Sequence, residues 1–370
     1  MPIPTGSKLI RSVKFYFREI DKILLFTILA FLVFGIVNMY GVAGGGGLLF
    51  KKQILMAIVG LLAMTLFSFF NYRYFKNYSL LVLTAYIFSL ALLGLTFYSG
   101  AVRGTNSWII FGNLTFEPAE LTKLALIILM AKYFSQRHAH IYQLRHILAS
   151  GFYFLLPMIL IVNQPDLGSA IILGVIWGSF LIAAGINRKH LAILLLLIFV
   201  LGYISWIVVL KPYQKNRILS FLDQGRDPLG SGYNLIQSKI AIGSGFWFGN
   251  GLGKGSQTNL GFLPESHNDF IFAAFAEQFG MTGMIVAIGL TILILYRIIL
   301  IGSIAQNNFG KLFAIGLAVF IFSHIFISAG VNVGLLPITG LPFPFLSSGG
   351  SNLISVMTGL GILQSIKRYG

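Results

Sequence analysis

Only ten of the 370 residues are acidic, yet three of them, Glu265, Asp269 and Glu277, fall within FLPESHNDFIFAAFAEQFG, Phe262 to Gly280. That stretch leads into an apolar run suited to a membrane. A charge in or near hydrocarbon costs a few kcal/mol on insertion scales, so an ionisable residue there calls for a function and a partner. Asp269 is flanked by Phe270, Ile271 and Phe272 and is the hardest of the three to explain otherwise. A carboxylate beside apolar surface has its pKa raised by desolvation toward the range useful for proton abstraction, while nearby cations pull it back. Capping of a turn after Pro264 accounts for Glu265, and hydrogen bonding accounts for His267.

Three further clusters carry unusual charge. In FEPAELTK, Pro118 suits a first helical turn, Glu117 the N-cap and Glu120 the helix dipole. Capping does not cover Lys123, a cation one turn inside the helix and placed to pair with Glu120 three residues away. In NQPDLGSA, Asp166 follows Pro165 and opens an apolar run as an N-cap, with Gln164 beside it. In KPYQKNRI, Lys211, Lys215 and Arg217 are placed either to anchor lipid headgroups or to hold a phosphate-bearing ligand. His324, within an apolar run, is explained by a bond to a neighbouring helix and is assigned no role.

The elements that must position these residues are membrane helices. Hydrophobic residues make up 56% of the chain and charged ones 10%, with mean hydropathy +0.86. A soluble domain has about 25% charged residues, so the expected fold class is an all-α polytopic membrane protein. Ten apolar runs fit spans, at approximately 22–40, 52–70, 79–98, 119–135, 146–163, 168–185, 190–210, 270–300, 311–334 and 350–366. With the N-terminus inside, 16 of the 26 Lys and Arg fall on the inner side, so both termini are expected in the cytoplasm, with residues 1–21 as a cytoplasmic segment. On the same topology eight of the ten acids face outward, which marks an external functional surface. The net charge of +16 follows this membrane pattern and does not call for nucleic acid. The absence of cysteine excludes disulfides and thiolate metal sites.

The whole chain, 1–370, reads as one membrane domain with a large external loop between the seventh and eighth spans, residues 211–269. Within it YNLIQSKIAIGSG fits a short amphipathic helix, carrying Gln237 and Lys239 and ended by Gly243 or Gly245. Phe246, Trp247, Phe248 and Leu252, interleaved with glycines, argue for an ordered loop. The eighth span begins either at Phe270 or after Gly280 and Gly283. In a helix running from Phe270, Asp269, Ala273 and Glu277 share a face.

QPDLGSA, DPLGSGYNLIQSKIAIGSG, GKGSQTNLGFLPESHNDFIFA and LPFPFLSSGGSN closely resemble the shape, elongation, division and sporulation family of bacterial membrane proteins. The resemblance covers nearly the whole chain. QSKIAIGSG followed by GSQTNLGFLPE is more similar to its elongation members than to its division members. The resemblance implies a ten-helix peptidoglycan glycosyltransferase of the inner membrane, with its active site facing outward. Such enzymes polymerise lipid II into glycan strands with inversion and release undecaprenyl pyrophosphate. It implies Asp269, in HNDF, as the catalytic acid, and Glu120 and Lys123, in PAELTK, as substrate-site residues. Arg217, Asp166, Gln164, Lys239 and Gln237 complete the expected substrate-binding set, Lys123 and Arg217 facing the pyrophosphate and Glu120 orienting Lys123.

The expected partners are lipid II, the nascent glycan strand, a class B penicillin-binding protein and the cell-elongation machinery. No cofactor is required by the sequence. A divalent cation, magnesium or manganese, held by Asp269 or Glu120 with substrate phosphates remains open. Family members often carry Ser at position 119, Thr at 268, Tyr at 348 and Arg at 107, where this chain has Ala119, Asn268, Ser348 and Ser107; Arg103 is a candidate substitute for the missing arginine. A lipid II flippase and a non-catalytic transpeptidase scaffold are the competing readings. Ionisable groups clustered at the external mouth favour external chemistry over a flippase.

Overall fold

The computed structural model describes residues 19–99, 106–112, 114–136, 144–223 and 230–370. Arg103 and most of the expected cytoplasmic segment 1–21 lie outside these residues. The described chain is an all-α polytopic membrane protein whose long helices fall close to the apolar runs read from the sequence. They are α1 (Lys22–Val42), α2 (Leu48–Phe69), α3 (Ser79–Leu95), α4 (Pro118–Ser135), α5 (Leu144–Asn163), α6 (Leu167–Ala183) and α7 (Arg188–Ile204). Two shorter helices follow, α8 (Pro212–Leu222) and α9 (Ser231–Ser244), then α10 (Ile271–Ile304), α11 (Asn308–Asn332) and α12 (Gly350–Tyr369). Among the described residues, seven helices are long and apolar enough to cross a membrane. Of the other long ones, α4 and α12 are interrupted by polar residues and α6 is short.

Burial follows the composition of each helix. α4 is buried on nearly every side, its few polar residues included, and sits in the core, packed by α3, α6, α11 and α12. α12 packs most extensively on α2, where Gly361 lets the two backbones meet: a Cβ there would lie 2.4 Å from the Met64 carbonyl oxygen. α7 has no buried residue and stands at the edge of the bundle. A two-stranded hairpin, β1 (Ile109–Phe111) and β2 (Leu114–Phe116), pairs antiparallel with Ile109 opposite Phe116 and leads directly into α4.

At one end of the bundle Asp21 ties three helices together. Its carboxylate caps α1 by accepting from the Leu24 N–H at 2.8 Å, and it pairs with Arg297 of α10 and with Lys367 of α12 at 2.9 Å. Burial pushes the Asp21 pKa up, but the bonds from Arg297, Leu24 and Lys367 together outweigh it and hold the pKa below the ordinary value of 3.8. A depressed carboxylate contributes stability that is present above the unfolded pKa and is lost as pH falls through the lower, folded value. Thermal unfolding of the solubilised protein is therefore expected to lose this contribution only below about pH 4, and Asp21→Asn to flatten the dependence in that window.

At the opposite end the described residues between α7 and α10, 211–223 and 230–270, carry α8, α9 and a folded glycine-rich loop. α9 ends at Ser244 with Gly245 as its cap, as the glycine pattern predicts. α10 breaks at Gly280, whose φ of 66° lies in the left-handed region, and a Cβ there would sit 2.4 Å from the Gly249 nitrogen. The break is covered by the loop, because the Met281 and Thr282 N–H groups donate to the Phe246 and Trp247 carbonyls at 2.8 and 3.0 Å. The 281–304 portion alone rises about 36 Å, enough to cross a core of about 30 Å. Of the two expected starts of the eighth span, the break at Gly280 matches the second: a short helix 271–279 precedes a full span after Gly280.

The expected shared face of Asp269, Ala273 and Glu277 is not formed. Helix α10 begins at Ile271, so Asp269 precedes it and escapes helical phasing. Glu277 points into the loop, accepting from the Gln257 and Thr258 N–H groups at 2.8 and 3.0 Å and so capping the single turn Ser256–Asn259. It is completely buried, and Gly255 makes room for it: a Cβ there would fall 2.4 Å from its carboxylate. Glu277→Gln turns one acceptor into a donor facing an N–H, so a loss of about 1 to 3 kcal/mol is expected, read as a lower melting temperature and faster proteolysis within 250–262.

Candidate functional site

A cavity of about 360 Å³ opens at the loop end of the bundle. Asp269 reaches it from the segment preceding α10, and Asp166 from the N-terminus of α6, where its carboxylate also caps the helix by accepting from the Ser169 N–H at 3.0 Å. Arg217 enters from α8, its guanidinium 5.8 Å from the centre of the Tyr213 ring. Gln214 fixes this helix: its side chain accepts from the Lys211 N–H at 2.9 Å and donates to the Pro165 carbonyl at 3.4 Å, joining α8 to the entry of α6. Three of the expected site residues therefore share one wall-to-wall space.

The cavity is also lined by Lys52 and Glu117, to which the sequence reading gave no role in the site. Lys52 of α2 lines it and donates to Thr115 of β2 at 3.5 Å. In the sequence it reads as one of two adjacent interfacial lysines, and only helical phasing separates it from exposed Lys51. Glu117 stands at the N-cap position of α4, but its side chain makes no capping bond and faces the cavity instead. Burial pushes its carboxyl well above the ordinary carboxylate range, with the Glu120 and Asp166 charges adding to the rise and Lys123 opposing it. A neutral Glu117 can donate a hydrogen bond into the cavity.

Glu120 and Lys123 do not reach the cavity wall. Both are fully buried, with Lys123 Nζ 2.6 Å from Glu120 Oε1 and 3.3 Å from His324 Nε2. Asn352 of α12 donates to Glu120 Oε2 at 2.8 Å, and His324 Nδ1 lies 3.3 Å from the carbonyl of Pro342, a cavity-lining residue. The quartet thus lies behind Glu117 and Pro342. The expected pairing of Glu120 with Lys123 is present, whereas direct contact of Lys123 with a ligand in the cavity is not available to it. His324, left without a role in the sequence, is part of this network.

The remaining expected residues lie elsewhere. Gln164 is buried and braces α3, donating to the Leu93 carbonyl at 2.9 Å and to Thr96 Oγ1 at 2.8 Å. Gln237 is half-buried and Lys239 exposed on α9, and neither lines the cavity. Lys239 packs over Gly334, just past the C-terminus of α11, where a cation is favoured by the helix dipole. Two departures from the family pattern meet: the Ser348 hydroxyl donates to the Asn268 side-chain carbonyl, and the Ser348 N–H donates to the His267 carbonyl at 3.1 Å. The 337–349 segment is thereby stitched to the strand of residues carrying Asp269.

Fold and cavity define a multi-pass membrane protein that presents acids and cations together at one end of its helical bundle. Over residues 17–370 the chain matches the cell cycle protein family of FtsW, RodA and SpoVE, and it belongs to that family. It is 33% identical over 352 residues to the peptidoglycan glycosyltransferase MrdB of Escherichia coli strain K12, a match covering 95% of this chain and 94% of that one. It is 34% identical over 372 residues to a probable peptidoglycan glycosyltransferase FtsW of Trichlorobacter lovleyi, with the same coverage. Among solved structures, it resembles a chain of a peptidoglycan synthase complex that coordinates polymerization and crosslinking, with a TM-score of 0.81, 29% identity, and coverage of 94% of this chain and 98% of that one.

Proposed function

We propose that the protein is a peptidoglycan glycosyltransferase that polymerises lipid II during cell elongation. It resides in the bacterial inner membrane with both termini in the cytoplasm and the cavity facing outward. The observation that carries the reading is the cavity itself, in which the Asp269 carboxylate and the Arg217 guanidinium share one space in a chain of this family. Asp269 accepts the proton of the acceptor GlcNAc 4-hydroxyl as that oxygen attacks MurNAc C1. The O4–C1 bond forms with inversion, and the bond from C1 to the pyrophosphate oxygen breaks. Arg217 and Lys52 take up the negative charge that develops on the leaving undecaprenyl pyrophosphate, a role suited to preorganised cations in a water-poor site. Lys123, held by Glu120, supplies its charge from behind Glu117. The lipid tail stays in the bilayer while the sugar enters the cavity.

The resemblance to a synthase complex supports a class B penicillin-binding protein as partner, working with the elongation machinery on the nascent strand. The elongation role rests on the QSKIAIGSG and GSQTNLGFLPE motifs, since overall identity to an elongation and a division relative is nearly equal. Among the described residues no group of three or more His, Asp or Glu is arranged to hold a metal. Asp166 and Asp269, which share the cavity, fit the pattern of one or two carboxylates by which magnesium or manganese is held together with substrate phosphates. Glu120, committed to Lys123 and Asn352, does not. Such an ion supplies charge neutralisation to the pyrophosphate.

The test is strand formation from purified lipid II by the complex with its transpeptidase, alongside movement of labelled lipid II across vesicles. Polymer without transbilayer movement supports the reading, and movement without polymer replaces it with a flippase. Chelation is expected to lower the polymerisation rate, restored by magnesium or manganese; a rate indifferent to chelator removes the ion from the site.

A further inference from the structure

Helix α10 starts without the usual means of doing so. The N-cap position is Phe270, which has no side-chain acceptor for the first-turn N–H groups. The N–H of the third helical residue, Ala273, is the one an N-cap side chain ordinarily takes. Here it donates at 2.9 Å to Oδ1 of Asn332, at the end of α11 and fully buried. Nδ2 of the same amide donates to the Asp269 carbonyl and to the Ser328 carbonyl, both at 2.8 Å. A carbonyl can only accept and an N–H can only donate, so the two partners on the α10 side fix which way the amide points. The Asn332 main-chain carbonyl accepts separately from the Ser238 hydroxyl of α9 at 2.7 Å, a bond in which the side-chain amide takes no part.

We infer that Asn332 is the positioning residue for Asp269, capping α10 from a neighbouring helix while holding the backbone of residue 269 through the other end of the same amide. This rests on the reading of Asp269 as the base. Because Asp269 lies outside the helix, its backbone is not held by helical phasing, and the amide of Asn332 joins it to the first turn of α10. A shift of about 1 Å in a reacting group lowers a rate about a hundredfold, so the effect is one of rate.

The experiment compares wild type, Asn332→Leu, Asn332→Asp and Ser238→Ala, each as the full chain with its transpeptidase, by kcat and KM for lipid II and by hydrogen exchange at the Ala273 amide. Asn332→Leu is expected to speed exchange at Ala273 and lower kcat by at least about tenfold, with KM changed by less than about twofold. Asn332→Asp has the same size and, ionised, keeps the acceptor for Ala273 but loses the donor to residue 269. It is expected to preserve protection at Ala273 while kcat still falls, and it carries the test if the leucine variant does not fold. Ser238→Ala is expected to leave kcat unchanged. An unchanged kcat in Asn332→Asp, a change confined to KM, or an equal loss in Ser238→Ala overturns the inference. A wild-type complex that makes no polymer overturns the assigned activity, and this inference with it, whereas an active wild type beside active Asn332 variants overturns this inference alone.

Discussion

A complex carrying Asp269→Asn assembles with its transpeptidase partner and makes no detectable glycan strand from lipid II: that is the largest effect expected from any single substitution. Asparagine keeps the size of the side chain and its place in the cavity but cannot take the acceptor proton. Loss of a general base lowers a rate by about 10² to 10⁴. The cavity supplies alternative carboxylates, but Asp166 is tied to the α6 N-terminus and Glu117 is held toward its neutral form, so neither is placed to take over. The measurement is strand length and yield on gels, with copurified partner as the control for assembly. Equal polymer from both proteins would remove Asp269 from the chemistry.

The second large effect is on folding. Glu120→Ala leaves Lys123 with its ammonium wholly buried and removes the acceptor for Asn352 and the anion beside His324. Stranding one member of a buried ion pair costs about 3 to 5 kcal/mol, a large part of the stability of any one domain. The variant is expected to accumulate poorly and to melt well below wild type in detergent. Replacing both charges, with Glu120→Gln and Lys123→Met together, removes the stranded cation and is expected to recover much of the melting temperature. The neutral pair is expected to remain slow in polymerisation, because the charge behind Glu117 is gone. Wild-type stability in Glu120→Ala would mean that water enters the core beside Lys123.

What was legible in the sequence and what was not divides along a physical line. Most of the long helices were readable because they are largely apolar runs bounded by turn-forming residues, as α1 is by Asp21 and Gly44 and α11 by Asn307 and Gly334, and such signals are local. Asp166 and Arg217, which line the cavity, stood out in the sequence because ionisable groups at a membrane boundary are few. The environment of Lys123 was not readable, because its network partners lie far along the chain, His324 201 residues beyond Lys123 and Asn352 a further 28 beyond His324, on helices that only the fold brings together. Glu277 was misread for a different reason: helical phasing from Asp269 assumes a helix already formed there. Gln237 and Lys239 fell within a family motif, but their helix turns them away from the cavity. Lys52 was passed over because a basic residue at a helix end has a sufficient explanation in the lipid headgroup.

The buried knot at Asp21 sets a delay into the making of the protein. Its N–H bonds to the side chain of Gln364, 343 residues later, and its carboxylate to Lys367. At about 5 to 20 residues per second, a ribosome takes roughly 20 to 70 s to reach those partners. During that interval α1 holds an acid that has its cap to Leu24 but not the cations it will pair with, while α2 waits for α12 to cover it. Helix α1, made early, is therefore locked only when α12 follows, and its survival in the bilayer until then depends on whatever receives nascent helices there.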